Sequence, residues 1–348
     1  MRLSHCHNFQ DFRLLAKKRL PGPIFNYIDG GADDESTMRR NTDAFLNCDL
    51  VPNILRGVTN PDTSVEIMGQ KLATPFYCSP TALQRLFHHR GERAVAAAAE
   101  KQGTLFGVSS LGTVSLEEIA AQTSTPQVYQ FYFHKDRGLN EAMMARAKEA
   151  GIEVMMLTVD STTGGNRERD LRTGFSIPMK LNLSGLLQFA IKPMWGINYV
   201  THEKFSLPQL DKHIDMDGGA KSIGDYFSHM LDPSMNWVDV ADMVKLWDGQ
   251  FCLKGVMSVK DARRAVDIGC TGIIISNHGG RQLDGSRSSF DHLEEIEDYI
   301  NDDNYVDLEE LVWTNKAKND LKISLNVLNF QLLLLQIVDK FLLKFLVW

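Results

Sequence analysis

The sequence predicts an α/β fold: a (β/α)8 TIM barrel, incomplete after its sixth β/α unit and preceded by an N-terminal helical cap. Three observations predict it. Strand-like and helix-like runs alternate from Thr74 onward, useful polar side chains recur at the carboxyl ends of the strand-like runs, and the pattern breaks off near residue 296. Alternation alone fits a closed barrel or a doubly wound open sheet. The polar strand ends decide for the barrel, because there side chains from many strand ends converge on one mouth.

Residues 1–73 read as the cap and its extension. Phe9, Phe12, Leu14 and Leu15 give a helical pattern that breaks at Pro21-Gly22-Pro23, after which Ile24 to Tyr27 and a polar second helix follow. The barrel domain is read as 74–300. Its strand-like runs are 75–79, 104–110, 127–133, 153–160, 251–256 and 272–278, and helical patterns at 92–101, 116–122, 139–150, 238–246, 259–268 and 290–300 separate or follow them. Between the fourth and fifth strands, 161–236 reads as irregular and far exceeds a normal connection of about 2–6 residues, which suggests a lid or an oligomer contact. Residues 301–348 are read as a divergent tail.

Composition excludes several classes. A net charge of -7 with scattered Lys and Arg gives no field for a polyanion, so no nucleic acid partner is expected. Five cysteines, an odd number without a C-x-x-C pair, read as reduced core thiols of a cytoplasmic protein. His5-Cys6-His7 cannot close a tetrahedral metal site alone, so no metal is expected. The first nine residues lack the apolar region of a secretory signal, and export is not expected.

The strand ends carry the chemistry. The first ends in Ser79-Pro80-Thr81-Ala82 and the second in Ser109-Ser110; the third carries Gln130 and Tyr132, the fourth Thr158 and Asp160, and the fifth Lys254. A lysine inside Phe251-Cys252-Leu253-Lys254-Gly255-Val256 is costly to bury without an anionic or acceptor partner. The sixth delivers Ser276, Asn277 and His278, two glycines turn the backbone, and Arg281 follows. Histidine exchanges a proton near neutral pH and arginine holds a carboxylate through two parallel hydrogen bonds. Each residue alone has a plainer role: a core histidine, a surface arginine, an aspartate capping the next element.

Together, Ser276-Asn277-His278-Gly279-Gly280-Arg281-Gln282-Leu283-Asp284, Leu253-Lys254-Gly255-Val256, Leu157-Thr158-Val159-Asp160, Ser79-Pro80-Thr81-Ala82 and Tyr27-Ile28-Asp29-Gly30-Gly31-Ala32 resemble the FMN-dependent 2-hydroxy-acid oxidase and dehydrogenase family of glycolate oxidase, L-lactate dehydrogenase and flavocytochrome b2. The resemblance runs in order from about Phe9 to Glu295. It implies FMN as cofactor and an L-2-hydroxy acid, lactate-like, as substrate. His278 would be the base and Asp160 its orienting partner; Arg281 and Arg167 would clamp the substrate carboxylate, and Tyr27 and Tyr132 would hydrogen-bond the substrate. Lys254 would sit at the flavin pyrimidine edge, with Pro80, Thr81, Ala82, Ser109, Gln130, Thr158 and Ser276 along the flavin. The acceptor stays open among oxygen, quinone and cytochrome, and a homotetramer is the family's tendency. Leu111 stands where short-chain glycolate oxidases tend to carry Trp, which implies a roomier pocket.

After about residue 296 the resemblance stops. Family members continue with an Asp-Gly-Gly turn and a Gly-Arg strand end that hold the FMN phosphate, matching the barrel rule for the loops after strands seven and eight. Asp217-Gly218-Gly219 precedes the fifth strand and is in the wrong order. The tail ending Phe345-Leu346-Val347-Trp348 is interrupted by Asp339, Lys340 and Lys344, short of the ~18 apolar residues of a spanning helix. An altered reading frame or a truncation accounts for it; a membrane-surface helix is the lesser reading, and would put the cytoplasmic chain on the inner face of the membrane. The alternative function is an inactive barrel without its phosphate site.

Overall fold

The structure is a computed structural model and describes residues 3–52, 54–175, 182–210 and 229–300. The divergent tail, with its expected surface helix, and 217–219 lie outside the described residues.

Three helices open the chain: α1 (Phe9–Arg19), α2 (Gly22–Asp29) and α3 (Ser36–Asp43). Asn8 caps α1 by accepting from the Asp11 amide, and Pro23 stands near the start of α2, where its missing N–H costs nothing. A short antiparallel hairpin follows, β1 (Val65–Ile67) and β2 (Gln70–Leu72), inside a stretch the sequence pattern had as cap.

Five parallel strands then form one sheet in chain order: β3 (Phe106–Ser109), β4 (Gln127–Tyr132), β5 (Val154–Thr158), β6 (Gln250–Val256) and β7 (Gly272–Ile275). The expected strand at 75–79 is reduced to a single bridge, in which the Cys78 amide donates to Leu105 O and Cys78 O accepts from Gly107. Pro80, the next residue in phase with Cys78, offers no amide hydrogen, and Phe76 O accepts instead from the Thr104 hydroxyl, so the ladder stays at one bridge. Helices α4 (Glu92–Gln102), α5 (Leu116–Gln122), α6 (Arg137–Glu149), α10 (Trp237–Trp247) and α11 (Val259–Asp267) alternate with the strands, and α12 (Leu293–Ile300) follows β7. Ser115, Asp136, Asn236 and Ser258 cap four of them, and at Asn236 a full capping box forms with Asp239. Among its described residues, the stretch read as irregular holds three more helices: α7 (Glu168–Thr173), α8 (Leu183–Ala190) and α9 (Pro193–Thr201).

Side chains alternate across the sheet with period two. One face, with Phe106, Val108, Tyr129, Phe131, Met155, Leu157, Phe251 and Leu253, is fully buried in the main core. Continuous apolar runs of this kind are what a parallel sheet covered on both faces requires. The opposite face changes character along the strands. At the amino ends Leu105, Val128, Val154, Met156, Cys252 and Ile274 pack on Met68 and Leu72 of the hairpin. Two residues further on, the same face carries Gln130, Thr158, Lys254 and Ser276. The hairpin thus closes one end of this face with apolar contacts, and polar groups gather at the carboxyl end. Among the described residues no helix is long and apolar enough to cross a membrane. All five cysteines are free; Cys48 is exposed, against the expectation of a core thiol.

Candidate active site

At the carboxyl ends of the strands lies a cavity of about 280 Å³. Residues singled out in the sequence line it: Tyr27, Pro80, Thr81, Ala82, Ser109, Leu111, Gln130, Tyr132, Thr158, Arg167, Lys254, Ser276, His278 and Arg281. Asp160 stands behind His278. Convergence from so many separated segments is the property that distinguishes a site from a set of plain structural roles.

His278 follows β7 in the left-handed region at φ 59°, with Gly279 at 66° and Gly280 at 71°. A histidine is rarely held there without support. The support is visible. The Ser276 hydroxyl accepts from the His278 amide at 3.1 Å, and the Asn277 side chain accepts from Gly280 N at 3.0 Å while donating to Asn41 and to Arg287 O. Gly280 is required for packing as well, since a Cβ there would stand 2.5 Å from Met38 N of α3. Asp284, just past this loop, accepts from both the Ser36 and Thr37 amides at the first turn of α3. The loop and the N-terminal helix are therefore built against each other.

The imidazole Nδ1 lies 2.9 Å from Asp160 Oδ1, and the Ser161 hydroxyl reaches both, at 3.1 and 3.0 Å. Burial alone would raise the Asp160 carboxyl. The His278 hydrogen bond, the Lys254 charge and the Ser161 hydroxyl outweigh it and hold Asp160 below the usual carboxylate range. It is therefore ionised and fixes hydrogen on Nδ1, which leaves Nε2 as the nitrogen free to accept a proton. Burial lowers His278; Asp160 opposes that, and Lys254 and Arg167 reinforce it. The neutral, proton-accepting form is thus favoured near neutral pH. Gly255, at φ 110° beside a register shift in the β6–β7 pairing, lets Asp160 come close: a Cβ there would be 2.7 Å from Asp160 Cβ.

Across the cavity, the guanidinium carbons of Arg281 and Arg167 lie 5.3 and 5.8 Å from the Tyr27 ring centroid. Arg281 also donates to Gly30 O, and Arg167 Nη2 to Gln282 Oε1 at 3.3 Å. Burial and the Arg167 charge push Arg281 down to about 10, still a cation at neutral pH. Behind the pair, burial raises Asp170 to about 6 against the three nearby arginines. Tyr132 is raised by burial and stays protonated, a donor.

A polar relay crosses three strands: Ser109 Oγ lies 3.0 Å from Gln130 Oε1, and Gln130 Nε2 donates to Thr158 Oγ1 at 2.8 Å. Next to it the Lys254 ammonium is buried, 3.4 Å from Ser276 Oγ, and burial lowers its pKa while Asp160 opposes. A buried cation beside amide and hydroxyl groups suits an electron-rich ring edge with several acceptors, which is the chemistry of a flavin pyrimidine. The residues present fit that part of FMN. The turns expected to hold its phosphate are not represented among the described residues. Sequence reasoning passed over Ser161, Asp170 and the capping role of Asp284; only Ser161, adjacent to Asp160, carried a local signal.

A sequence model of the FMN-dependent dehydrogenases matches residues 16–308, which carries the likeness beyond the point near 296 where the motifs fade. The L-lactate dehydrogenase of Alcaligenes faecalis is 37% identical over 291 residues, 83% of this chain and 76% of that protein. That of Vibrio parahaemolyticus is 36% identical over 297 residues, covering 84% and 77%. Among solved structures, the monotopic membrane protein (S)-mandelate dehydrogenase superposes with a TM-score of 0.79 at 31% identity, covering 85% of this chain and 78% of its own. A mandelate oxidase with benzoyl-formic acid gives 0.69 at 32% identity, covering 85% and 76%. The chain belongs to the FMN-dependent dehydrogenase family, whose members it resembles are 2-hydroxy-acid dehydrogenases and oxidases that use FMN.

Proposed function

We propose that the chain oxidises an L-2-hydroxy acid of lactate size or larger to the 2-oxo acid. The observation that carries this is one cavity holding a carboxylate-backed imidazole, two guanidinium groups around one phenol ring, and a buried ammonium. Arg167 and Arg281 bind the substrate carboxylate, and Tyr27 and Tyr132 hydrogen-bond the substrate. His278 Nε2 takes the proton released in the oxidation, and Asp160 stabilises the imidazolium. Bound FMN supplies the acceptor for the two electrons. Lys254 neutralises charge at the ring edge, and Pro80, Thr81, Ala82, Ser109, Gln130, Thr158 and Ser276 line the ring. Leu111 leaves room for a larger 2-substituent; mandelate-sized acids are the natural comparison with lactate.

In this reading 1–73 is a cap and extension, 74–300 an incomplete barrel and 301–348 a tail. The chain is read as cytoplasmic; peripheral contact with the inner face of a membrane is the second reading, which the monotopic character of the mandelate dehydrogenase neighbour supports, and the family's tendency to a homotetramer is carried with it. Oxygen, a quinone and a cytochrome are the acceptors to compare. The test is direct: purified protein reconstituted with FMN should be yellow and bleach on adding L-lactate or L-mandelate. Protein that takes up no FMN would reject the reading in favour of an inactive barrel.

A further inference from the structure

At the amino ends of the strands, opposite the active-site cavity, lies another of about 390 Å³ that shares no lining residue with it. Its walls are the hairpin turn at Gly69 with Gln70, the segment 123–127 that leads into β4, and 150–153, which leads from α6 into β5. Three of its side chains are more than nine-tenths buried: Gln70, Thr123 and Gln127, at 8%, 7% and 9% exposure. Among the described residues, Gln70 Oε1, Thr123 Oγ1 and Gln127 Oε1 have no hydrogen-bond partner. The hydroxyls between them are engaged elsewhere, Ser124 donating to Glu100 and Thr125 to Thr104 O. A buried amide or hydroxyl left unpaired is costly, and native proteins satisfy nearly all such groups. Three that meet at one cavity point to a common ligand.

The surroundings favour a cation. No Lys, Arg or His lines the cavity, and its one ionisable side chain is Glu153, exposed at the rim. The carboxyl ends of two helices reach it, α5 through Ala120 and Thr123 and α6 through Ala150 and Gly151 just beyond it. Such ends carry partial negative charge. Among the described residues no backbone bond caps α5 at Thr123, which leaves carbonyls of its last turn as further acceptors.

Size and donor set narrow the class. The space is many times the ~30 Å³ share of one water molecule, too large for a bare ion. Among the described residues no three His, Cys, Asp or Glu side chains converge as a divalent metal requires. An ammonium group brings three donors and no acceptor, the complement of a wall of unpaired oxygens. Ala120, Pro126 and Ile152 supply apolar stretches for a few methylenes. A neutral polyol would gain nothing from Glu153 or from the helix ends. We propose that the cavity at the amino ends of β4 and β5 binds a small organic cation bearing a primary ammonium, with Gln70, Thr123 and Gln127 accepting its N–H groups and Glu153 balancing its charge. Binding there is independent of the oxidation chemistry at the other end of the strands.

Isothermal titration of the full chain with putrescine at fixed ionic strength tests it. Saturable binding with a Kd of about 1 mM or tighter is expected, and none for tetramethylammonium, a cation without N–H donors. Gln70→Leu with Gln127→Leu should weaken putrescine binding at least about tenfold, and should leave the thermal midpoint of the ligand-free chain unchanged or higher, because each removes an unpaired buried amide. Thr123→Val, close to isosteric, and Glu153→Gln, on an exposed side chain, should each weaken it about three- to tenfold and keep the test open if the double substitution does not fold. Wild-type protein that shows no saturable putrescine binding overturns the assignment. Binding that tetramethylammonium matches, or that survives the substitutions, is counter-ion binding only and overturns it as well. Glycerol that binds through the same side chains while putrescine does not makes this a polyol site, against the proposal. A ligand-free midpoint that falls on Gln70→Leu with Gln127→Leu, together with a flat wild-type titration, shows that water satisfies the three groups and also overturns it.

Discussion

Asp160→Asn is the substitution whose outcome the geometry specifies most fully. The carboxylate is 2.9 Å from His278 Nδ1, and the two side chains are 13% and 20% exposed, so solvent screens the pair little. Losing an opposite charge at contact typically lowers the pKa of its partner by about 1–3 units. At ~1.4 kcal/mol per unit, the imidazolium formed during turnover is destabilised by roughly 1.4–4 kcal/mol, which lowers kcat about 10- to 1000-fold. KM should move little, because the proposed function assigns the substrate carboxylate to Arg167 and Arg281. The pH dependence carries the sign. Asp160 raises His278 against burial, so its removal lowers His278 further, and the acid limb of kcat/KM shifts to lower pH while the plateau falls. The assay is steady-state reduction of an artificial dye by L-lactate or L-mandelate across pH. A kcat within threefold of wild type and an unmoved acid limb would refute the base assignment.

Other substitutions probe other parts. Lys254→Met should leave the apo protein equally stable or more so in thermal melts, because it removes a buried ammonium, yet weaken FMN binding and cut flavin reduction by ~100-fold in stopped flow. Gly255→Ala, forced to φ 110° with a Cβ 2.7 Å from Asp160, should cost about 1–3 kcal/mol in denaturant unfolding and lower kcat as well. Leu111→Trp should spare lactate oxidation and raise KM for mandelate by at least about tenfold; equal effects on both acids would show that this wall does not set size. His134 is buried and its pKa is pushed down to about 4 by burial, from 6.5, with Asn140 and Asp136 opposing. The unfolded chain binds that proton first, so its contribution is complete above pH 6.5, falls by about 3 kcal/mol towards pH 4 and is flat below. Denaturant unfolding of wild type against His134→Gln should show that difference in slope, which Asp170, raised to about 6, opposes equally in both proteins.

Much of this was readable because two signals coincide. From β3 to β7, short apolar and β-rich runs located the strands within about two residues at most ends, and the polar residues at their carboxyl ends located the cavity. Three failures have physical causes. The hairpin at 65–72 has three-residue strands, too short to show alternation. The segment at 75–79 has strand-like composition, but Pro80 lacks the amide that would follow Cys78 in the ladder and Phe76 O is taken by the Thr104 hydroxyl. Helices α8 and α9 carry their apolar stripe outward, so the rule that assigns such stripes to a core gave no address for them. Asp284 closes a quoted motif, but its role and that of Asp170 could not be read there, since each acts on groups that meet only in three dimensions: Asp284 reaches Ser36 across 248 residues of chain.

That last span bears on how the protein comes to be active. The turn presenting the imidazole is tied to a helix made hundreds of residues earlier, through Asp284 on the Ser36 and Thr37 amides and Asn277 on Asn41. Contacts of such long loop length form late, after the local β/α units have condensed. Far-ultraviolet signals should therefore recover before flavin-binding competence during refolding, and nicking the chain between α3 and β1 should silence chemistry while leaving most of the sheet intact.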